Sequence, residues 1–279
     1  MRINIVVQGR RWRRQVVALG AVIAALATAV FVNAARSPAD SASPNLETAS
    51  VATLDQLLDS GSITSVALTN AYLARIRSLN SHGPALNAVR AINPDALAEA
   101  RAADTILRSH AAHGPLVGIP VIVKDNVDVT GMPTTAGSVA LVDSRPSVDA
   151  PLVTSLRKAG AVILGKGNLT EFANFLTNGM PSGYSSLGGQ VLNPYDASQT
   201  PSGSSSGPAA AAAAGFAPLT VGTETSGSIL SPSNQNMLAG IKPTVGRISR
   251  YGVIPITADQ DTPGPMARTV TDAAILLGV

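Results

Sequence analysis

Lys124 directly follows the apolar run Gly118–Val123 (GIPVIV), and two clusters of small hydroxyl and glycine residues lie far downstream. The first is Ser202–Gly207 (SGSSSG), the second Gly222–Ile229 (GTETSGSI). Serine among such glycines is a candidate nucleophile, and lysine is its candidate base. An ordinary lysine, with a pKa of about 10.4, is almost wholly protonated at neutral pH. Burial disfavours the ammonium form, and a shift of about 3 units, roughly 4 kcal/mol of environment, makes the amine a usable base. A lysine ending a β-branched run is placed where such burial is available. The alanine run Ala209–Ala214 reads as a helix opening at Pro208, which aims its N-terminal amides toward Ser204–Ser206. The turn Thr223–Ser228 is likewise suited to aim consecutive N–H groups at a developing oxyanion. The chemistry these residues could do together is acyl transfer through a serine, with several hydroxyls eligible.

Competing strings are weaker. Gly160–Lys166 (GAVILGK) fits most of a phosphate-binding loop, but Gly167 stands where Ser or Thr is required, and AVIL reads as a strand. Gly203–Gly207 contains G-x-S-x-G centred on Ser205, yet no strand precedes it, and the histidines (His82, His110 and His113) all lie upstream. Ser155–Lys158 matches S-x-x-K without the companion strings S-D-N and K-T-G. The absence of cysteine excludes disulfides and thiolate metal sites.

These residues need a scaffold. The chain has 279 residues and 45% apolar residues but only 3% aromatics, so its core must be built from Ala, Val, Leu and Ile. The formal charge of +3 is misleading. Arg2, Arg10, Arg11, Arg13 and Arg14 precede the apolar run 16–32, and without the acid-free residues 1–34 the remainder is net −2. A basic, then apolar, then small-residue order ending at Ala34 is that of a signal peptide. An uncleaved anchor is the alternative, and either one implies an exported protein. A Ser/Pro-rich linker (35–51) follows, then one domain (52–279).

Helices are expected over Thr53–Leu58, Thr64–Leu79, Ala96–His110, Pro151–Ala159, Thr170–Leu176 and Thr271–Leu277. Strands are expected over Leu86–Ile92, Gly118–Val123, Ala161–Leu164, Pro218–Val221 and Ser249–Pro255. The loop-like stretch Gly179–Ser206 is too long for an ordinary connection. Helices alternating with buried strands imply an α/β fold. The chain stops within its last helix, which suggests a C-terminally incomplete domain.

The same segments resemble the amidase signature family. SGSSSG (202–207), the alanine run, GTETSGSI (222–229) and GIKPT (240–244) are similar to its signature. GPLVGIPVIVKDNVDVTGMPTTAGS (114–138) is similar to the segment carrying its lysine, and LGKGNLTEFA (164–173) and GGQVLNPYD (188–196) also match. The resemblance implies a mixed β-sheet covered by helices on both faces. It further implies a Ser–Ser–Lys triad: Lys124 as base, Ser204 as bridging serine beside a cis peptide, and Ser228 as nucleophile. The amides of Thr225, Ser226, Gly227 and Ser228 would form the oxyanion hole. No metal or organic cofactor is implied. TETSGS and QDTPGPMART (260–269) look closer to peptide amidases than to the A subunit of tRNA-dependent amidotransferases, which remains the alternative beside an inactive truncated remnant. The implied partner is an amide substrate, with no nucleic acid; the acyl group, the amine and the oligomeric state stay open.

Overall fold

The computed structural model describes residues 45–279. The expected signal peptide and most of the linker lie outside them. The described end of the expected linker is not loose. Residues 46–48 form a turn, Ala49 is buried, and Arg268 donates to the carbonyl of Ala49 at 2.9 Å.

Two helices begin the domain, α1 (Val51–Asp59) and α2 (Ser65–Leu79). Each starts on a hydroxyl N-cap: Ser50 accepts from Thr53 N–H, and Thr64 from Ala67 N–H. Such caps satisfy amides that the helix itself cannot. Strand β1 (Val89–Ile92) and helix α3 (Ala96–Arg108) follow. Then come β2 (Pro120–Lys124), α4 (Pro151–Lys158) and β3 (Val162–Gly167). The long stretch 179–206 contains a small hairpin of β4 (Tyr184–Ser185) and β5 (Gly189–Gln190). It ends in the alanine helix α5 (Ser206–Ala213), followed by β6 (Leu219–Glu224), α6 (Leu230–Gln235), β7 (Ala239–Gly240), β8 (Thr262–Ala267) and α7 (Val270–Leu277).

Six strands form one mixed sheet in the order β1-β3-β2-β6-β8-β7. Its centre, β3-β2-β6, is parallel, while β1, β8 and β7 pair antiparallel. Every residue of β2, β3 and β6 is buried, as the central strands of a sheet covered by helices on both faces must be. The chain steps one way from β2 to β3 through α4, then back past β2 to β6 through α5. Right-handed crossovers in opposite directions put those two helices on opposite faces of the sheet.

Helix α5 is buried on all sides from Ser206 to Ala212. An all-alanine surface permits this, because no side chain holds the helix away from the sheet. Pro208 sits in its first turn, where the missing N–H costs nothing. Gly207 lies so close to its neighbours that a Cβ there would collide with the carbonyl oxygens of Asn168 and Ala88.

Two expectations are corrected. Thr170–Leu176 is not an α-helix: Glu171–Asn174 is a short 3-10 segment in which Phe172, Ala173 and Asn174 have positive φ. Ser249–Pro255 makes one isolated bridge, Val253 to Val127, around a turn, and is not a strand. Instead β8 supplies the antiparallel partner of β6. It carries Pro263 and Pro265, neither of which can donate a ladder hydrogen bond. The Pro265 carbonyl accepts from Ile241 N–H on the β7 side, so both missing N–H groups would have pointed there, where pairing is short.

Candidate active site

Lys124 is the last residue of β2, and its side chain is wholly buried. Its Nζ lies 2.7 Å from Ser204 Oγ, 2.9 Å from Thr223 Oγ1 and 3.3 Å from the Thr223 carbonyl oxygen. Burial brings its pKa down to about 7, against the opposing pull of Glu224 and Asp261. The base expected from the sequence and the first serine cluster are therefore in direct contact.

Ser204 is buried and follows a cis peptide bond from Gly203. It lines a small cleft together with Asn126, Thr223, Thr225, Ser228 and Arg250. Ser228 is half-buried there, in the turn between β6 and α6. Its hydroxyl makes no hydrogen bond among those of the described residues, to Ser204 or elsewhere. The N–H groups of Thr225, Ser226, Gly227 and Ser228 also donate to no partner among the described residues, and Gly227 turns the chain at φ +94°. The carboxylate of Glu224 accepts from the N–H groups of Ile229 (2.7 Å) and Leu230 (2.8 Å), pinning the far end of this turn at the start of α6. Asp261 accepts from Thr225 Oγ1 at 2.5 Å and from the N–H groups of Ile256 and Thr257 at 2.7 and 3.0 Å. The loop beneath the cleft is held by this one carboxylate.

Ser205 does not face the cleft. It is fully buried, donates to the Thr223 carbonyl at 3.1 Å, and accepts from Thr223 N–H at 3.2 Å. Its own N–H donates to the Ser228 carbonyl at 3.2 Å. The G-x-S-x-G reading of Ser205 as a nucleophile is thus excluded, and Ser155 lies in α4, apart from Lys124. Ser205 ties the two serine clusters together.

Several polar groups are not evident from the sequence. Lys166 of β3 is as buried as Lys124. It stands 3.1 Å from Asp125 Oδ1, and its Nζ donates to the Pro133 carbonyl and Thr134 hydroxyl, both at 3.1 Å. Burial lowers its pKa and Asp125 opposes the shift. Arg90 Nε reaches Asp125 Oδ2 at 2.5 Å, and the Thr135 hydroxyl donates to the same oxygen. In the sequence Lys166 stands out only as the lysine of a failed phosphate loop; the buried strand before it is the available signal. Asn126, two residues after Lys124, donates to Thr223 Oγ1 at 3.0 Å.

Among the described residues one group could hold a metal ion, Asp55, Asp59 and His113, and it involves none of the residues around Lys124. The Lys124 cleft brings a base, a buried hydroxyl in contact with it, a second hydroxyl and a run of free amides to the carboxyl ends of two neighbouring parallel strands. Ligands in such sheets bind where successive crossovers diverge to opposite sides.

Comparisons with known proteins identify the family. The family model described as Amidase matches residues 67–279. A putative amidase of Arthroderma benhamiae is 46% identical over 220 residues, covering 78% of this chain and 37% of its own length. The A subunit of the glutamyl-tRNA(Gln) amidotransferase of Chloroflexus aurantiacus is also 46% identical, over 80% of this chain and 44% of its own. The crystal structure of native peptide amidase from Stenotrophomonas maltophilia superposes with a TM-score of 0.80 at 53% identity, covering 82% of this chain and 47% of that one. The chain spans less than half the length of each of these three relatives.

Proposed function

The chain belongs to the amidase family, and we propose that it hydrolyses a carboxamide to a carboxylic acid and ammonia or an amine. Ser228 is the nucleophile, Ser204 the proton relay and Lys124 the base. The observation that carries this reading is the set of partners around Lys124 Nζ.

A neutral amine has two N–H groups and one lone pair. The Thr223 carbonyl can only accept, so it takes one N–H, and the Thr223 hydroxyl oxygen takes the other. The lone pair is then left for the Ser204 hydroxyl at 2.7 Å. Ser204 passes its proton to Lys124 as it receives one from Ser228. The Ser228 oxygen attacks the carbonyl carbon, and the free amides from Thr225 to Ser228 hold the oxygen as it gains charge. Ser204 next delivers a proton to the leaving nitrogen and recovers one from Lys124. Water cleaves the acyl-enzyme by the same relay. Protonated Lys124 still finds three acceptors, so neither state leaves the buried Lys124 nitrogen unpaired.

We further infer export, supported by the basic and apolar leader of residues 1–34. The 53% identity to a peptide amidase favours an amide of a peptide or peptide-like acid as substrate. A second reading, the glutaminase-type A subunit of an amidotransferase, is favoured by the 46% identity of such subunits. Assaying the purified chain alone on a panel of primary amides and on glutamine separates the two. A serine-directed fluorophosphonate tests the site: it should label the wild-type chain at Ser228. Labelling that persists in Ser228→Ala would sink the assignment.

A further inference from the structure

Asn126 carries a buried group that the relay does not use. The residue is 3% exposed and lines the cleft beside Ser204 and Ser228. Its Nδ2 donates to Thr223 Oγ1 at 3.0 Å, and its backbone carbonyl accepts from Ile254 N–H at 2.8 Å, so both the main chain and the side-chain amide are fixed. Its Oδ1 has no hydrogen-bond partner among the described residues. An amide oxygen left unpaired in a buried position costs stability, and such groups at a cleft wall are commonly satisfied by what the cleft binds.

Its position says which part of a substrate that would be. Thr223 Oγ1 accepts from both Lys124 Nζ and Asn126 Nδ2, so Asn126 stands two hydrogen-bond lengths from the base. The leaving nitrogen must collect its proton from Ser204 on this side of the cleft. The free amides of residues 225–228, by contrast, belong to the carbonyl oxygen.

Resting on the reading above, we propose that Asn126 Oδ1 accepts a hydrogen bond from the N–H of the scissile carboxamide, making Asn126 a substrate-contacting residue that selects for a leaving group bearing N–H. The contact orients the nitrogen so that its lone pair faces Ser204 when the C–N bond breaks.

The test compares two reactions of Ser228 that differ in this group. A primary amide presents that N–H; phosphonylation by a fluorophosphonate, in which the serine oxygen bonds phosphorus and fluoride leaves, does not. Asn126→Leu and Asn126→Ala should lower kcat/KM for a primary amide by about 10- to 100-fold. Their second-order rate of fluorophosphonate labelling should change by less than about threefold, which also reports that the variants fold. Equal losses in both reactions, or an unlabelled and unfolded variant in both cases, would mean that Asn126 only supports Thr223 and would overturn the proposal. Wild type that is not labelled, or is labelled but hydrolyses no amide, would overturn the amidase reading and this inference with it.

Discussion

Ser205 and Thr223 form a closed pair, in which one hydroxyl donates to the carbonyl and accepts from the N–H of the same residue. This pair fastens the start of α5 to the end of β6, so the serine beside Lys124 and the turn carrying Ser228 are held in register by a residue that does no chemistry. Ser205→Ala leaves a buried N–H without its partner, a loss of about 1–3 kcal/mol. Urea denaturation should show that loss, with turnover falling further than the stability change alone explains. An unchanged midpoint would show that the pair contributes nothing.

Turnover should rise with pH through about 7 and then level, because only neutral Lys124 accepts the Ser204 proton. Stability has the same sign. The folded-state pKa of Lys124, about 7, lies below its ordinary value of 10.5, so between these pH values the unfolded chain binds more protons than the folded one. Stability contributed by this group therefore climbs as pH rises from about 7 toward 10.5 and is at its minimum below 7. Lys124→Met should remove that slope from the stability profile while abolishing turnover. A kcat/KM profile flat from pH 5 to 9 would contradict the assignment.

Lys166→Met should destabilise the fold by about 3–5 kcal/mol, because Asp125 would keep Arg90 but lose the fully buried Lys166 ammonium. A double variant with Asp125→Asn should recover part of that loss. Chemical denaturation of wild type, Lys166→Met, Asp125→Asn and the double variant reads the coupling, and strict additivity would show that the ion pair is energetically silent.

Gly207→Ala should yield no folded protein, since the added methyl meets two backbone carbonyls that cannot move aside. Gly114→Ala, with nothing within 4 Å of the new atom and no strained φ, is the control and should leave the thermal midpoint in place. Comparable midpoints for the two would refute the close approach of α5 to the strand end.

Much of this site is readable in advance because the run before Lys124 in β2 is continuously apolar, and a lysine ending such a run has little choice but burial. β8 is hidden because Pro263 and Pro265 look like strand breakers. They are tolerated only because their ring nitrogens face the sparsely paired side, a tertiary fact. Phe172 to Asn174 have the composition of a helix but adopt left-handed φ values, and the helical reading fails there. The Arg90–Asp125–Lys166 group cannot be read locally. Its members belong to different segments, and only strand pairing makes them neighbours.

The contacts of Lys124 with Ser204 and Thr223 span 80 and 99 residues of chain. Contacts so distant in sequence carry a large loop-closure entropy, and topologies that depend on them fold slowly. Until both spans are closed, Lys124 is an ordinary solvated ammonium, unable to activate any serine. Under the proposed function the chain has no early, half-assembled hydrolase, and its reactivity arises only when its most non-local contacts are made.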